Sequence, residues 1–199
     1  MSNLVNIHLS KNRPDISKSN LSRRSFFKWG VFVAGTALIK QPAFAAVHSL
    51  LLPERSLYLF NCHTEEILRT VYWSQGRYLP ESLAKIDYIL RDHYSNKIKP
   101  IDTRLLDLLH TVCKRLNTEG PLHIISGYRS RSTNALLRKY DRDVAKGSLH
   151  IYGKAVDISL PDCKLYRLKK TAASLKCGGV GYYPERNFVH LDIGRVRYW

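Results

Sequence analysis

Apolar residues recur along this chain with two different periods, and the switches between them lay out its elements. Residues 57–61 and 67–73 alternate apolar and polar around Cys62-His63-Thr64-Glu65, which predicts a hairpin. Gln75-Gly76-Arg77 interrupts the second strand. Pro80 then opens a helix at its favoured first turn, with Leu83, Ile86 and Leu90 three and four residues apart on one face. The strongest helical pattern is 101–117, where Leu105, Leu108, Leu109, Val112 and Leu116 line a single stripe. Asp102 or Thr103 caps it and Gly120-Pro121 ends it, so this helix is expected to be core.

A short buried strand is predicted at 122–126, leading into Gly127-Tyr128-Arg129. A helix follows over 130–140 with Ser132 or Thr133 as its cap, and 141–146 reads as loop. Alternation then returns. Val156, Ile158 and Leu160 point one way, so Ala155, Asp157 and Ser159 point the other. Val189, Leu191 and Ile193 form an apolar face in the same manner, with His190 and Asp192 opposite. Between these strands, Leu165, Leu168, Ala172 and Leu175 describe an amphipathic helix stopped by Gly178-Gly179, then a strand at 180–183 and a turn at 184–187. The elements sum to an α+β domain over 57–199: a small antiparallel β-sheet with helices packed on one face and an open face left for a site.

Charge and cysteines narrow the setting. The formal net charge is +16; seven Lys/Arg and one Asp give residues 1–45 a net +6, leaving +10 for the remainder. That balance favours an anionic partner without choosing among nucleic acid, a membrane surface and an acidic polymer. Residues 1–21 read as a polar leader, and Ser22-Arg23-Arg24-Ser25-Phe26-Phe27-Lys28 precedes a short apolar run at 29–39 and then Ala43-Phe44-Ala45. This is the pattern of a signal peptide with paired arginines, expected to use the twin-arginine export machinery and to be cleaved after Ala45. The apolar run is shorter than the roughly 20 residues of a membrane span, so no stable span is expected after cleavage. Residues 46–56 read as a short linker, the periplasm is the expected location, and nucleic acid is disfavoured as a partner. Cys62, Cys113, Cys163 and Cys177 match no zinc-binding cysteine pair; an oxidising compartment permits Cys163–Cys177 and Cys62–Cys113 disulfides, and free thiols are the alternative.

The chemistry gathers in two stretches. His150 precedes the Asp157 strand, and Gly153 gives the turn between them the freedom to fold the imidazole back over the carboxylate. His190 stands forty residues on, facing the same way. Either histidine alone reads as an ordinary polar residue at a strand end. Together, His150, Asp157 and His190 are nitrogen and oxygen ligands suited to one zinc ion with a fourth position open, the arrangement of a catalytic site.

Ser126-Gly-Tyr-Arg-Ser130, Ser148-x-His-x-x-Gly-x-Ala-x-Asp157, Gly178-Gly-Val-Gly-Tyr-Tyr-Pro184 and Phe188-Val-His-Leu-Asp192 resemble, in order, the motifs of the D-alanyl-D-alanine metallopeptidase (hedgehog-like) superfamily. Within it the chain most resembles the murein endopeptidase K-like branch, over 57–199. The resemblance implies that His150, Asp157 and His190 bind zinc, and that Arg129 holds a peptide-stem carboxylate with its guanidinium fork. Ser148 would donate to the substrate backbone or cap a turn. Where several relatives carry a general base just before the third ligand, this chain has Asn187 and Phe188. Asp192 is then the best catalytic candidate because it shares His190's face, or else it orients a ligand imidazole; Glu185 is a looser choice. The implied activity is an exported zinc endopeptidase hydrolysing peptidoglycan cross-links, D-alanyl–diaminopimelate first and diaminopimelate–diaminopimelate second. A D,D-carboxypeptidase acting on uncross-linked stems and a non-catalytic wall-binding module are the alternatives.

Overall fold

A computed structural model describes residues 53–199; the expected leader, signal segment and cleavage point lie outside them. The described chain forms one sheet of eight strands in the order β3-β2-β1-β4-β5-β7-β6-β8. Strands β1 (Arg55–Asn61) and β2 (Ile67–Ser74) make the expected hairpin, with β1 beginning inside the stretch read as linker. The turn at Gln75-Gly76 adds the two-residue β3 (Arg77–Tyr78). Helices α1 (Pro80–Ile89) and α2 (Thr103–Leu116) then carry the chain across to β4 (Leu122–Ser126), which lies parallel to β1. After α3 (Arg131–Tyr140) come β5 (Ala155–Ser159) and α4 (Leu165–Ser174). The chain closes with β6 (Gly179–Tyr183), β7 (Phe188–Asp192) and β8 (Arg197–Tyr198), the last parallel to β6.

The sheet is therefore larger than the small one expected, and mixed where an antiparallel one was expected. Two physical causes account for this. Parallel neighbours need a long crossover connection, and the two helices between β3 and β4 supply one, so that β4 lies parallel to β1. The second is β8, too short to leave a periodic signal in the sequence.

Register fixes which residues share a face. Leu59 pairs Leu122, Ile124 pairs Ile158, Val156 pairs Leu191 and Val180 pairs Leu191, so one face of the sheet is a continuous apolar layer. Ile86 and Ile89 of α1, Leu105, Leu109 and Val112 of α2, and Leu168 and Ala172 of α4 join that layer in a single buried core. The amphipathic stripes of the sequence point there because each helix has only that face to bury.

On the other face, Asp157 pairs His190 and Ala155 pairs Asp192. This face is not open along its length: all five residues of β5 are buried, so the strand is covered on both sides where half-burial was expected. The cover includes the 3₁₀ turn Leu149–Tyr152, which carries His150, itself 1% exposed.

The loops around this face are built to hold it. Ser130 caps α3 by accepting from the Thr133 backbone, two and three residues before the expected Ser132 or Thr133. Asp92, after α1, accepts from Ser130 N (2.9 Å), Thr133 Oγ1 (2.6 Å) and Ser95 Oγ (2.7 Å). Burial pushes its carboxyl upward, but these donors outweigh burial and hold it well below the usual carboxylate range. His63 and His93 stack on each other with ring centroids 3.7 Å apart. All four cysteines are free, so neither of the permitted disulfides forms. Burial raises the Cys113 thiol to about 12, leaving it an inert packing group.

Candidate metal centre

His150 reaches the site from the 3₁₀ turn before β5, and Gly153 closes that turn at φ +65°, where a side chain would also meet the Pro100 carbonyl. Asp157 and His190 come from the middles of two adjacent antiparallel strands, directly across from each other. Three atoms converge: His150 Nε2, Asp157 Oδ1 and His190 Nδ1. Their separations are 3.2 Å between the nitrogens, 3.3 Å from His150 and 2.8 Å from His190 to the carboxylate oxygen.

The outer nitrogen of each ring already has a partner. His150 Nδ1 lies 2.7 Å from the Gly127 carbonyl oxygen, which can only accept, so this nitrogen carries the proton. His190 Nε2 lies 3.0 Å from Asp192 Oδ2. With these outer protons in place, both inner nitrogens present lone pairs toward Asp157. Two lone pairs and a carboxylate oxygen facing one another repel unless a cation lies between them. Ligand atoms at about 2.0–2.1 Å from a tetrahedral zinc stand roughly 3.3 Å apart, close to the spacing seen here. The donor set fits a single small divalent cation.

Electrostatics favour ligand forms at His150 and Asp157, whereas the two carboxylates beside His190 favour its proton, which a bound cation would displace. Burial lowers the His150 pKa, favouring the neutral ring a metal needs. Burial also acts to lower His190, but its bonds to Asp157 and Asp192 outweigh it and the net shift is upward. Asp157 is pushed up by burial and pulled down further by His150, His190 and Arg129, so it remains ionised.

The remaining residues expected at the site are placed as follows. Arg129 donates Nη2 to Asp157 Oδ2 and Nε to Ser126 Oγ (2.7 Å), and only 14% of its side chain is exposed. Ser148 lines the cleft and its hydroxyl does not cap the turn it precedes. Asp192 is fully enclosed, on the far side of the His190 ring from the converging atoms. Both of its oxygens are occupied, accepting from Gly179 N (3.0 Å), Gly194 N (2.8 Å) and Arg197 Nη2 (2.7 Å) besides His190. Tyr183 lines the cleft, whereas Tyr128 and Tyr182 pack against the core.

Sequence reasoning missed the contribution of the last residues. Arg197 clamps Asp192 from β8, and the indole of Trp199 stands beside the His190 ring (centroids 5.3 Å apart), held by a 2.8 Å bond from Nε1 to the Tyr183 hydroxyl. Arg186 also lines the cleft. No local pattern marks these residues; the pairing of β8 with β6 brings in Arg197 and Trp199, and the turn before β7 brings in Arg186.

Comparison with known proteins gives the family. The chain is 41% identical over 185 residues, 92% of its length and 100% of the relative's, to the peptidoglycan L,D-endopeptidase MepK of Escherichia coli (strain K12). It is 35% identical over 180 residues, 89% of its length and 95% of the relative's, to the probable peptidoglycan L,D-endopeptidase MepK of Haemophilus influenzae. The family described as peptidoglycan L,D-endopeptidase MepK, of the M15_2 peptidases, matches residues 52–199. The chain belongs to that family, the murein endopeptidase K-like branch expected from its motifs.

Proposed function

We propose that this protein is a zinc-dependent peptidoglycan endopeptidase that hydrolyses peptide cross-links, with His150, Asp157 and His190 holding one zinc ion. The observation that carries this reading is the convergence of three donor atoms, none more than 3.3 Å from another, on rings whose outer nitrogens are already occupied. A zinc ion bound there supplies Lewis acidity toward an amide carbonyl and toward water. The chain's own residues set the stage. Arg129 holds the outer oxygen of Asp157 so that the inner one faces the ion. Asp192, braced by Arg197 and two backbone amides, holds the His190 tautomer; its enclosure favours this orienting role over that of a base. Ser148 offers its half-buried hydroxyl to the substrate backbone from the cleft wall.

Two cross-links were expected from the sequence. The relatives are named L,D-endopeptidases, and a diaminopimelate–diaminopimelate link joins an L to a D centre, which supports proposing it ahead of the D-alanyl link. The N-terminal segment supports export by the twin-arginine machinery to the periplasm with cleavage after Ala45. A net +10 outside residues 1–45 suits residence near an anionic wall.

Digestion of purified sacculi tests the proposal. The protein should deplete cross-linked dimers, lose that activity to a chelator and recover it with zinc, while His190→Ala stays inactive. Dimers left intact while D-alanine is released from uncross-linked stems would replace the endopeptidase with a carboxypeptidase. Zinc binding with no turnover of either substrate would leave a wall-binding module.

A further inference from the structure

Three guanidinium groups line the cleft, and they differ in what occupies them. Arg129 is held by Asp157 and Ser126 and is 14% exposed. Arg197 is forked onto the enclosed Asp192 with both terminal nitrogens. Arg186 is different. Its side chain is 51% exposed, and its partners are solvent-accessible carboxylates: Asp141 at 2.5 Å and Asp143 at 4.0 Å, whose side chains are 24% and 64% exposed.

The pair also spans the cleft. Arg186 ends the 3₁₀ turn Pro184–Arg186 that leads into β7 and His190. Asp141 is the C-cap of α3 and begins the loop that runs on to Ser148 and His150. A surface ion pair, with Asp143 at its margin, therefore joins the two chain segments that deliver the histidines. Such pairs are weak because water competes for both members, so an incoming carboxylate anchored elsewhere in the cleft can take over the guanidinium. Two parallel bonds to a carboxylate suit the planar arginine fork better than any other anion contact a peptide offers.

We infer that Arg186 is the receptor for a free substrate carboxylate beside the scissile amide, and that Asp141 is its placeholder when no substrate is bound. The inference rests on the proposed peptidoglycan reading, in which every diaminopimelate cross-link leaves a carboxylate next to the bond that is cut. Selectivity for stems with that carboxylate free, over stems in which it is amidated, follows from one exchange of partners at Arg186.

The test uses the full chain with zinc present and two uncross-linked stem peptides, neither of which holds a cross-link to hydrolyse. One carries the free diaminopimelate carboxylate and the other its amide, and binding is followed by calorimetry. The native protein should bind the acid about fivefold more tightly than the amide, within the range of an exposed charge pair. Arg186→Ala should abolish that preference, and Arg186→Lys should keep only part of it, having the charge without the fork. Asp141→Asn should move the other way, tightening the acid about threefold and leaving the amide unchanged, because the competitor is gone.

A clasp that merely fixes the loop would make Arg186→Ala and Asp141→Asn shift both peptides alike, and that result overturns the inference. Equal or undetectable binding of the two peptides by the native protein overturns it as well. Sacculus digestion reports separately on the endopeptidase reading. Acid preference lost in Arg186→Ala, with no digestion by the native protein, would keep the carboxylate site and remove the reading.

Discussion

The two imidazoles at the centre show how little freedom single residues have here. Each ring is held through its outer nitrogen, His150 by the Gly127 carbonyl and His190 by Asp192, so each inner nitrogen is presented as a lone pair. Asp192→Asn keeps the size of the side chain and removes its charge, which separates two roles. An orienting group should lower zinc affinity about 10–100-fold, with turnover restored when zinc is saturating; metal titration alongside sacculus digestion reads both. Turnover that stays low with zinc fully bound would make Asp192 a participant in proton transfer. Gly127 is constrained by space as well as by its carbonyl, since a Cβ there would collide with the Leu90 backbone oxygen. Gly127→Ala should displace that carbonyl, weakening zinc binding and lowering the thermal midpoint together.

At the scale of elements, the segment after α1 anchors the 126–130 loop and the start of α3. Tyr128 N donates to Leu90 O (2.8 Å), and Asp92 gathers Ser95, Ser130 and Thr133 around one buried carboxylate. Its folded pKa lies below the unfolded value of about 3.9, so its stabilisation is complete above that value. It is lost as pH falls from there toward the folded value. Asp92→Asn should cost about 2 kcal/mol at pH 7, because charge-assisted bonds to buried partners are lost. Urea midpoints measured from pH 7 to pH 3 should fall less steeply for the variant than for the native protein.

For the whole molecule, the sheet order puts β5 and β7 side by side in the interior, with three helices beneath and the 3₁₀ turn above. The site is part of the fold, and a ligand that binds only the folded state stabilises it. Zinc at 100 times its dissociation constant should add about 2.7 kcal/mol, seen as a higher melting temperature that Asp157→Ala does not show. Leu109→Ala in α2 tests the other side of the sheet. It is fully buried, so a cost of about 2–5 kcal/mol is expected with zinc affinity retained, since the cavity opens in the core and not beside the ligands.

The sequence by itself determined which face each residue would take. Period-two alternation set Asp157 and His190 opposite the core, and helical stripes at Leu105, Leu109, Leu168 and Ala172 marked what the sheet would be buried against. Those signals are local, because backbone geometry alone dictates them. Only the tertiary structure decided which strands are neighbours: β4 parallel to β1, β8 beside β6, and β5 covered on both faces. Pairing between distant strands depends on how the helices pack and on loops closing over the sheet, and no short window of sequence records either. For the same reason the orienting contacts of Arg129 and Arg197, the wall formed by Trp199 and the Arg186–Asp141 pair were invisible beforehand. Arginine carries no periodic signature, and its partner is fixed only when two remote segments meet.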